Sequence, residues 1–173
     1  MNLFFKFLLT VNATSWMFVI YGINKQIVFW KMPSFICNLL LFSLPVLLAF
    51  ISIKTLSFWG RDSLGGCQDF SLADNEFLPT YLGYFFVSLS VSNHTTMVYL
   101  YLIVFMFTFL SQTQYFNPSF MLFGYHYYYV LTERGTRVLV ITKGVIRNKE
   151  DISFDNLTRI NNTTYFHWKE KNK

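Results

Sequence analysis

Apolar residues run in long blocks through the first two thirds of the chain and then break into short alternating runs. The charge-free blocks are Phe7 to Asn24, Met32 to Ile53 and, longest, everything between Glu76 and Glu133. Blocks of about 18 or more apolar residues without charge have the length and polarity of membrane-crossing helices. The first block reads as a retained first span, because no small-residue cleavage site follows it and Asn12, Thr14 and Ser15 interrupt it. The second opens at Pro33-Ser34, carries Pro45 inside it, where a kink is expected, and closes at Lys54. The third is too long for one crossing. Taken as a single helix, Phe77 to Ser111 would reach roughly 50 Å and overshoot a core of roughly 30 Å. The polar cluster Ser92-Asn93-His94-Thr95-Thr96 divides it, giving helices from Leu78 to Val91 and Met97 to Gln112, with Asp74-Asn75-Glu76 and Pro79 as a helix start.

Beyond the aromatic cluster Tyr125-His126-Tyr127-Tyr128-Tyr129, which suits a membrane-interface belt, the period changes to two. Tyr125 to Leu131 and Arg137 to Ile141 read as strands around a Thr132-Glu133-Arg134-Gly135 turn, and Leu157 to Ile160 and Thr163 to Trp168 as a second hairpin around Asn161-Asn162. The expected fold class is therefore a mainly α membrane protein with four transmembrane helices, at about 4–23, 34–54, 77–92 and 96–115, and a small C-terminal β-rich domain. The division falls between a membrane module, 1–123, and a tail, 124–173. So small a tail is expected to lean on the helices or on copies of itself.

Composition agrees with the pattern: of 173 residues, 53% are apolar, 21% aromatic and 13% charged, against roughly a quarter charged in soluble domains. The net charge of +5 arises largely from Glu133 to Lys173, where nine bases face five acids. In a membrane protein such an excess marks the cytoplasmic side, so four spans place both termini there, together with the acidic loop from Ser57 to Phe77. Lys25 and Lys31, in the first connection, oppose that rule. Docking of the acidic loop on the basic tail is expected.

Chemistry is sought without success. The three histidines, His94, His126 and His167, stand at no ligand or triad spacing, and no phosphate loop, zinc motif or nucleophile elbow occurs. The expectation is no enzyme, no catalytic residue, no metal and no cofactor. Cys37 and Cys67 are not expected to pair, Gly65-Gly66 reads as a plain turn, and His94 as a loop residue. Asn12 and Asn38 are candidate interhelical packing residues, with a polar path through an oligomer as the other reading. The basic tail has three readings: a solvated orientation signal, attraction to anionic headgroups, or docking of a soluble partner. The candidate partner-binding residues are Arg137, Lys143, Arg147 and Lys149 in the tail and Asp62, Asp69 and Asp74 in the acidic loop.

Four short spans, then Phe116-Asn117-Pro118 and Gly124-Tyr125, then Thr136-Arg137-Val138-Leu139-Val140-Ile141, resemble the KwaA family, the membrane subunits of bacterial Kiwa anti-phage systems. The resemblance implies a homo-oligomeric protein of the bacterial inner membrane, with a tetramer as candidate size. It also implies a response to phage attack and work with KwaB, a soluble DNA-binding partner, on the cytoplasmic side. On that reading the protein is a membrane sensor and scaffold with no direct nucleic-acid contact. The alternative is a small oligomeric channel or pore.

Overall fold

The computed structural model describes residues 3–29, 31–58, 61–64, 66–111, 116–146 and 156–168. Among them five helices and six strands occur: α1 Leu3–Asn24, α2 Ser34–Leu56, β1 Arg61–Asp62, β2 Cys67–Leu72, α3 Leu78–Ser90, α4 His94–Leu110, α5 Pro118–Met121, β3 Tyr125–Thr132, β4 Arg137–Lys143, β5 Leu157–Arg159 and β6 Thr164–His167. The architecture is thus mixed rather than mainly α. The loop between α2 and α3 supplies two strands that its charges had disguised as a polar connection. Two compact units interleave along the chain: a helical one, Asn2–Ser52 with Phe77–Ser119, and a sheet one built mainly from Ile53–Glu76 and Phe120–Lys173.

In the helical unit α1 packs against both α3 and α4. Phe7 meets Phe105 edge-on, and Tyr21 meets His94, so α4 runs antiparallel to α1. The α3–α4 turn is only residues 91–93, tighter than its polar sequence suggests, because Asn93 caps α4 by accepting from the Thr96 amide at 2.7 Å. α2 continues unbroken past Pro45. α1 and α2 are long and apolar enough to cross a membrane, α4 is a shorter apolar helix, and α3 has 13 residues.

The sheet runs β1-β5-β6-β4-β3-β2, all neighbours antiparallel except β4 and β6. The two expected hairpins are present. Gly135, at φ +76°, lets the β3–β4 turn close, with the Thr132 amide donating to the Thr136 carbonyl at 3.0 Å. Asn161 Oδ1 accepts from the Thr163 amide at 2.7 Å and shapes the β5–β6 turn.

The edge strands carry a further consequence of connectivity. A flat six-stranded sheet would hold β1 and β2 roughly 24 Å apart, at about 4.8 Å per strand. Residues 63–66, which join them, reach at most about 18 Å even when extended. The sheet must therefore curl, bringing its edges toward each other. Tyr128, Val130, Val138, Val140, Leu157 and Tyr165 form the core on one face of it, and Leu64 and Cys67, from the joining segment and the start of β2, pack against them. Tyr127, Ile141 and Phe166, on the other face, are also fully buried. The tyrosine cluster of β3 is therefore structural core rather than a membrane-interface belt: strand alternation sends Tyr127 and Tyr128 to opposite faces, and both are buried.

Candidate functional site

Two groups of residues bear on function: the polar side chains inside the helical unit and the charged ones on the sheet unit. Within the helices, Thr10, Asn12, Thr14, Ser15, Ser88 and Thr108 are buried, while Phe35 is 72% exposed, Phe86 62% and Leu47 57%. α1 supplies most of the buried polar groups, because α3 and α4 both lie against it. Thr10 and Thr14 return hydrogen bonds to the Lys6 and Thr10 carbonyls at 2.8 Å, satisfying their own hydroxyls within the helix. Thr14 Oγ1 also lies 3.1 Å from Tyr101 Oη, and Tyr84 and Thr108 share a hydrogen bond of 3.0 Å between α3 and α4. Ser88 Oγ is buried and makes no hydrogen bond among the described residues. Of the two asparagines singled out in the sequence, Asn12 is buried inside α1's packing and Asn38 is half-buried on α2. The tyrosines that bind across helices could not be told in the sequence from aromatic filler.

On the sheet unit the fold scatters the charged candidates. Arg137 and Lys143 are exposed and stand at the two ends of β4, about 20 Å apart at strand rise. The Arg137 guanidinium lies 4.1 Å from the Tyr129 ring centre, and Lys143 Nζ 5.9 Å from that of Tyr125. Burial raises the Tyr129 hydroxyl above its ordinary pKa; Glu76 adds to the shift and Arg137 opposes it. Burial alone raises Tyr125. Asp62 and Asp69 are exposed on β1 and β2, the two edge strands. Arg147 and Lys149 lie outside the described residues.

Asp74 is taken up by the fold. Its Oδ2 is 2.7 Å from His126 Nδ1, and its Oδ1 accepts from the Tyr127 amide at 2.7 Å. The neighbouring Ala73 amide donates to the Tyr127 carbonyl at 2.8 Å, so the segment after β2 is clamped along β3. The helix start expected after Asp74-Asn75-Glu76 is present, α3 beginning at Leu78, while the Asp74 carboxylate itself satisfies a backbone donor and orients a histidine. The loop does join the tail, through strand pairing of β2 with β3 and β1 with β5. His126 stands opposite Thr142 on β4, which stands opposite His167 on β6, and Thr142 Oγ1 is 2.8 Å from His167 Nδ1. Alternation and register, hidden at the sequence level, assemble this polar row. Among the described residues no group of three or more His, Cys, Asp or Glu side chains is placed to hold a metal ion.

The Glu133 amide donates to the Gly66 carbonyl at 3.1 Å, joining the β3–β4 turn to the start of β2.

No curated protein and no solved structure matches the chain significantly. A family model described as the anti-phage protein KwaA matches residues 5–166, nearly the whole length, and the chain belongs to that family of anti-phage proteins.

Proposed function

We propose that the protein is a multi-pass membrane subunit of a phage-defence complex, acting as sensor and scaffold through contact rather than catalysis. The observation that carries this reading is the polarity of the helical unit, with large apolar side chains outward and hydroxyls inward. In water the outward phenylalanines and leucines would form an apolar surface far beyond what a soluble monomer tolerates. In lipid they are solvated, and the inward hydroxyls hold helices together where apolar packing gives little preference. The antiparallel course of α1 and α4 supports alternating crossings. At about 20 Å, α3 falls short of a core of about 30 Å, and the bilayer thins around it.

Both termini and the sheet unit lie in the cytoplasm of the bacterial cell, the helices self-associate within the inner membrane, and the sheet unit recruits or regulates a soluble DNA-binding partner. Arg137 and Lys143, at the two ends of β4, are among its exposed cations, with Arg134 and Arg159. Because Thr14 pairs with Tyr101 and Tyr84 with Thr108 within a single chain, packing is favoured over a pore for these buried hydroxyls. The test is reversal of Arg137 and Lys143 to Glu. Membrane insertion and oligomer size should survive, while co-purification of the partner and protection against phage fall, and raised salt should mimic the loss. Normal partner binding by the double variant at low and high salt removes the electrostatic docking reading. Conductance in liposomes would favour the pore.

A further inference from the structure

At the α3–α4 turn the helical unit carries an open groove of about 420 Å³. Phe86, Val87, Val91 and Leu100 line it with apolar side chains, Ser92 and Thr96 bring hydroxyls, and the Ser90 hydroxyl donates to the Phe86 carbonyl at 2.7 Å. Two hydrogen bonds fix its level. Asn24 Nδ2 donates to the Leu89 carbonyl at 3.3 Å, and Tyr21 Oη lies 3.0 Å from His94 Nδ1, so the turn stands beside the C-terminal end of α1, where the chain becomes polar at Asn24-Lys25. Lys25, whose Nζ lies 5.9 Å from the Tyr21 ring centre, and His94 stand at this end, and residues 24–29 and 90–96 include no acid. The groove also continues into the outward apolar surface, where Phe86 and Leu89 are exposed.

We propose that this groove binds a phospholipid, with acyl chain against Phe86, Val91 and Leu100, glycerol-ester region at the Ser92 and Thr96 hydroxyls, and phosphate drawn by Lys25. The assignment rests on the membrane reading above. It follows from three facts together: the groove is amphipathic in the same sense as a lipid, it sits at the level where chain polarity changes, and its end of the unit is cationic. A freely diffusing polar ligand would leave the apolar wall unused, and an unattached hydrocarbon would leave the Ser92 and Thr96 hydroxyls facing it without exchange for water. The site gives the helix hairpin a wedge that fills the depression next to short α3.

The test uses full-length protein reconstituted with phosphatidylglycerol, extracted in mild detergent and weighed by native mass spectrometry. Wild type should keep a single phosphatidylglycerol per chain after surrounding lipid is stripped. Ser90→Trp, which fills the groove, should reduce retention by roughly tenfold or more, whereas Leu82→Trp, on the same helix outside the groove, should not. Thr96→Val preserves shape and removes one hydroxyl, so it should lower retention by about two- to tenfold; it serves if Ser90→Trp fails to fold. Wild type carrying only detergent, or Ser90→Trp and Thr96→Val both retaining lipid like wild type, overturns the assignment. Alkaline carbonate extraction separates the two readings: protein that stays in the membrane yet binds no lipid refutes the groove alone, and protein released by carbonate refutes the membrane reading and the groove with it.

Discussion

In the sheet unit the residues fully withdrawn from the surface include Val140, Ile141, Leu157 and Phe166, whereas in the helical unit they include Thr10, Asn12, Thr14 and Ser88 beside Met17 and Phe5. Outward positions differ in the reverse sense: the ends of β4 show Arg137 and Lys143, while α2 shows Phe35, Leu47 and Phe50. The inward contrast is one of degree, since the sheet also buries Thr142, Thr158 and Thr164; the outward contrast is the sharper one. Removing apolar area from water gains about 25 cal/mol per Å², which accounts for the sheet's buried valines. On the membrane reading proposed above, lipid offers no such gain at the helix surface, while a hydroxyl facing hydrocarbon without a partner is penalised.

The largest break in this comparison comes from placing a charge at the centre of the sheet. Val140 is fully buried on β4 between Tyr128 and Tyr165. Val140→Asp should cost upwards of about 4 kcal/mol, enough to unfold the unit. Protease treatment of membranes should then cut within residues 125–168 while the helical unit remains inserted. A sheet as resistant as the parent's would mean that this face is not a core.

A charge on the outward side of the helices gives the complementary test. Leu47 is 57% exposed on α2, and in water Leu47→Lys would change stability little. In lipid it should cost about 2.5–3.5 kcal/mol if held near mid-membrane. Insertion efficiency in a reporter fusion measures the difference, and unchanged insertion with unchanged melting would put α2 in water.

Asp74 probes how the loop is held to the sheet. Asp74→Ala strips the Tyr127 amide of its acceptor and His126 of its partner, and should cost about 1–3 kcal/mol in the melting of the sheet unit. Asp74→Asn keeps an acceptor and should cost less. Equal melting of all three proteins would show the clamp to be idle.

Much of this contrast was legible in the sequence, but unevenly. Blocks without charge marked the helices because exclusion of Lys, Arg, Asp and Glu is a property of every residue in the block. The β3–β4 and β5–β6 hairpins announced themselves through Gly135 and Asn161, whose backbone and side chain are local devices. β1 and β2 did not, since a two-residue strand and one reading Cys-Gln-Asp-Phe-Ser-Leu acquire their identity from neighbours far along the chain. The same holds for Asp74, whose helix-start signature was right for α3 but did not show its tie to Tyr127 and His126. For the candidate partner site, charge type was readable and grouping was not: register sends Arg137 and Lys143 to opposite ends of one strand, and Asp62 and Asp69 fall on two different strands, β1 and β2.

A smaller effect separates the units by pH. Burial raises the hydroxyl pKa values of Tyr125 and Tyr129 in the folded sheet, with Glu76 reinforcing and Arg137 opposing the shift at Tyr129. A raised folded value means stability is fully present below the ordinary value of 10.0 and is lost as pH climbs through the folded one. The sheet unit should therefore melt earlier in alkali above that value, and Tyr129→Phe should lessen the loss. Identical alkaline melting curves would show that Tyr129 ionises as freely folded as unfolded.

The smallest effect tests whether the inward hydroxyls act as glue. Tyr84 and Thr108 bond at 3.0 Å, both buried, and Tyr84 belongs to the cluster with Met17, Tyr21, Val91 and Met97. Removing one partner alone leaves the other facing an apolar interior, so single changes overstate the worth of the bond. A double-mutant cycle of Tyr84→Phe and Thr108→Val isolates it, and in a bilayer the coupling should come to about 0.6 kcal/mol, since the separated helices find other partners in the lipid-embedded state. Melting in nanodiscs supplies the four stabilities. Coupling near zero would leave apolar packing as the main tie between α3 and α4. A value well above about 1.7 kcal/mol, the upper end for such bonds in membranes, would mean that the pair sits in a polar network larger than the two residues. The buried hydroxyls would then be organised for more than packing, and the pore reading would regain its ground.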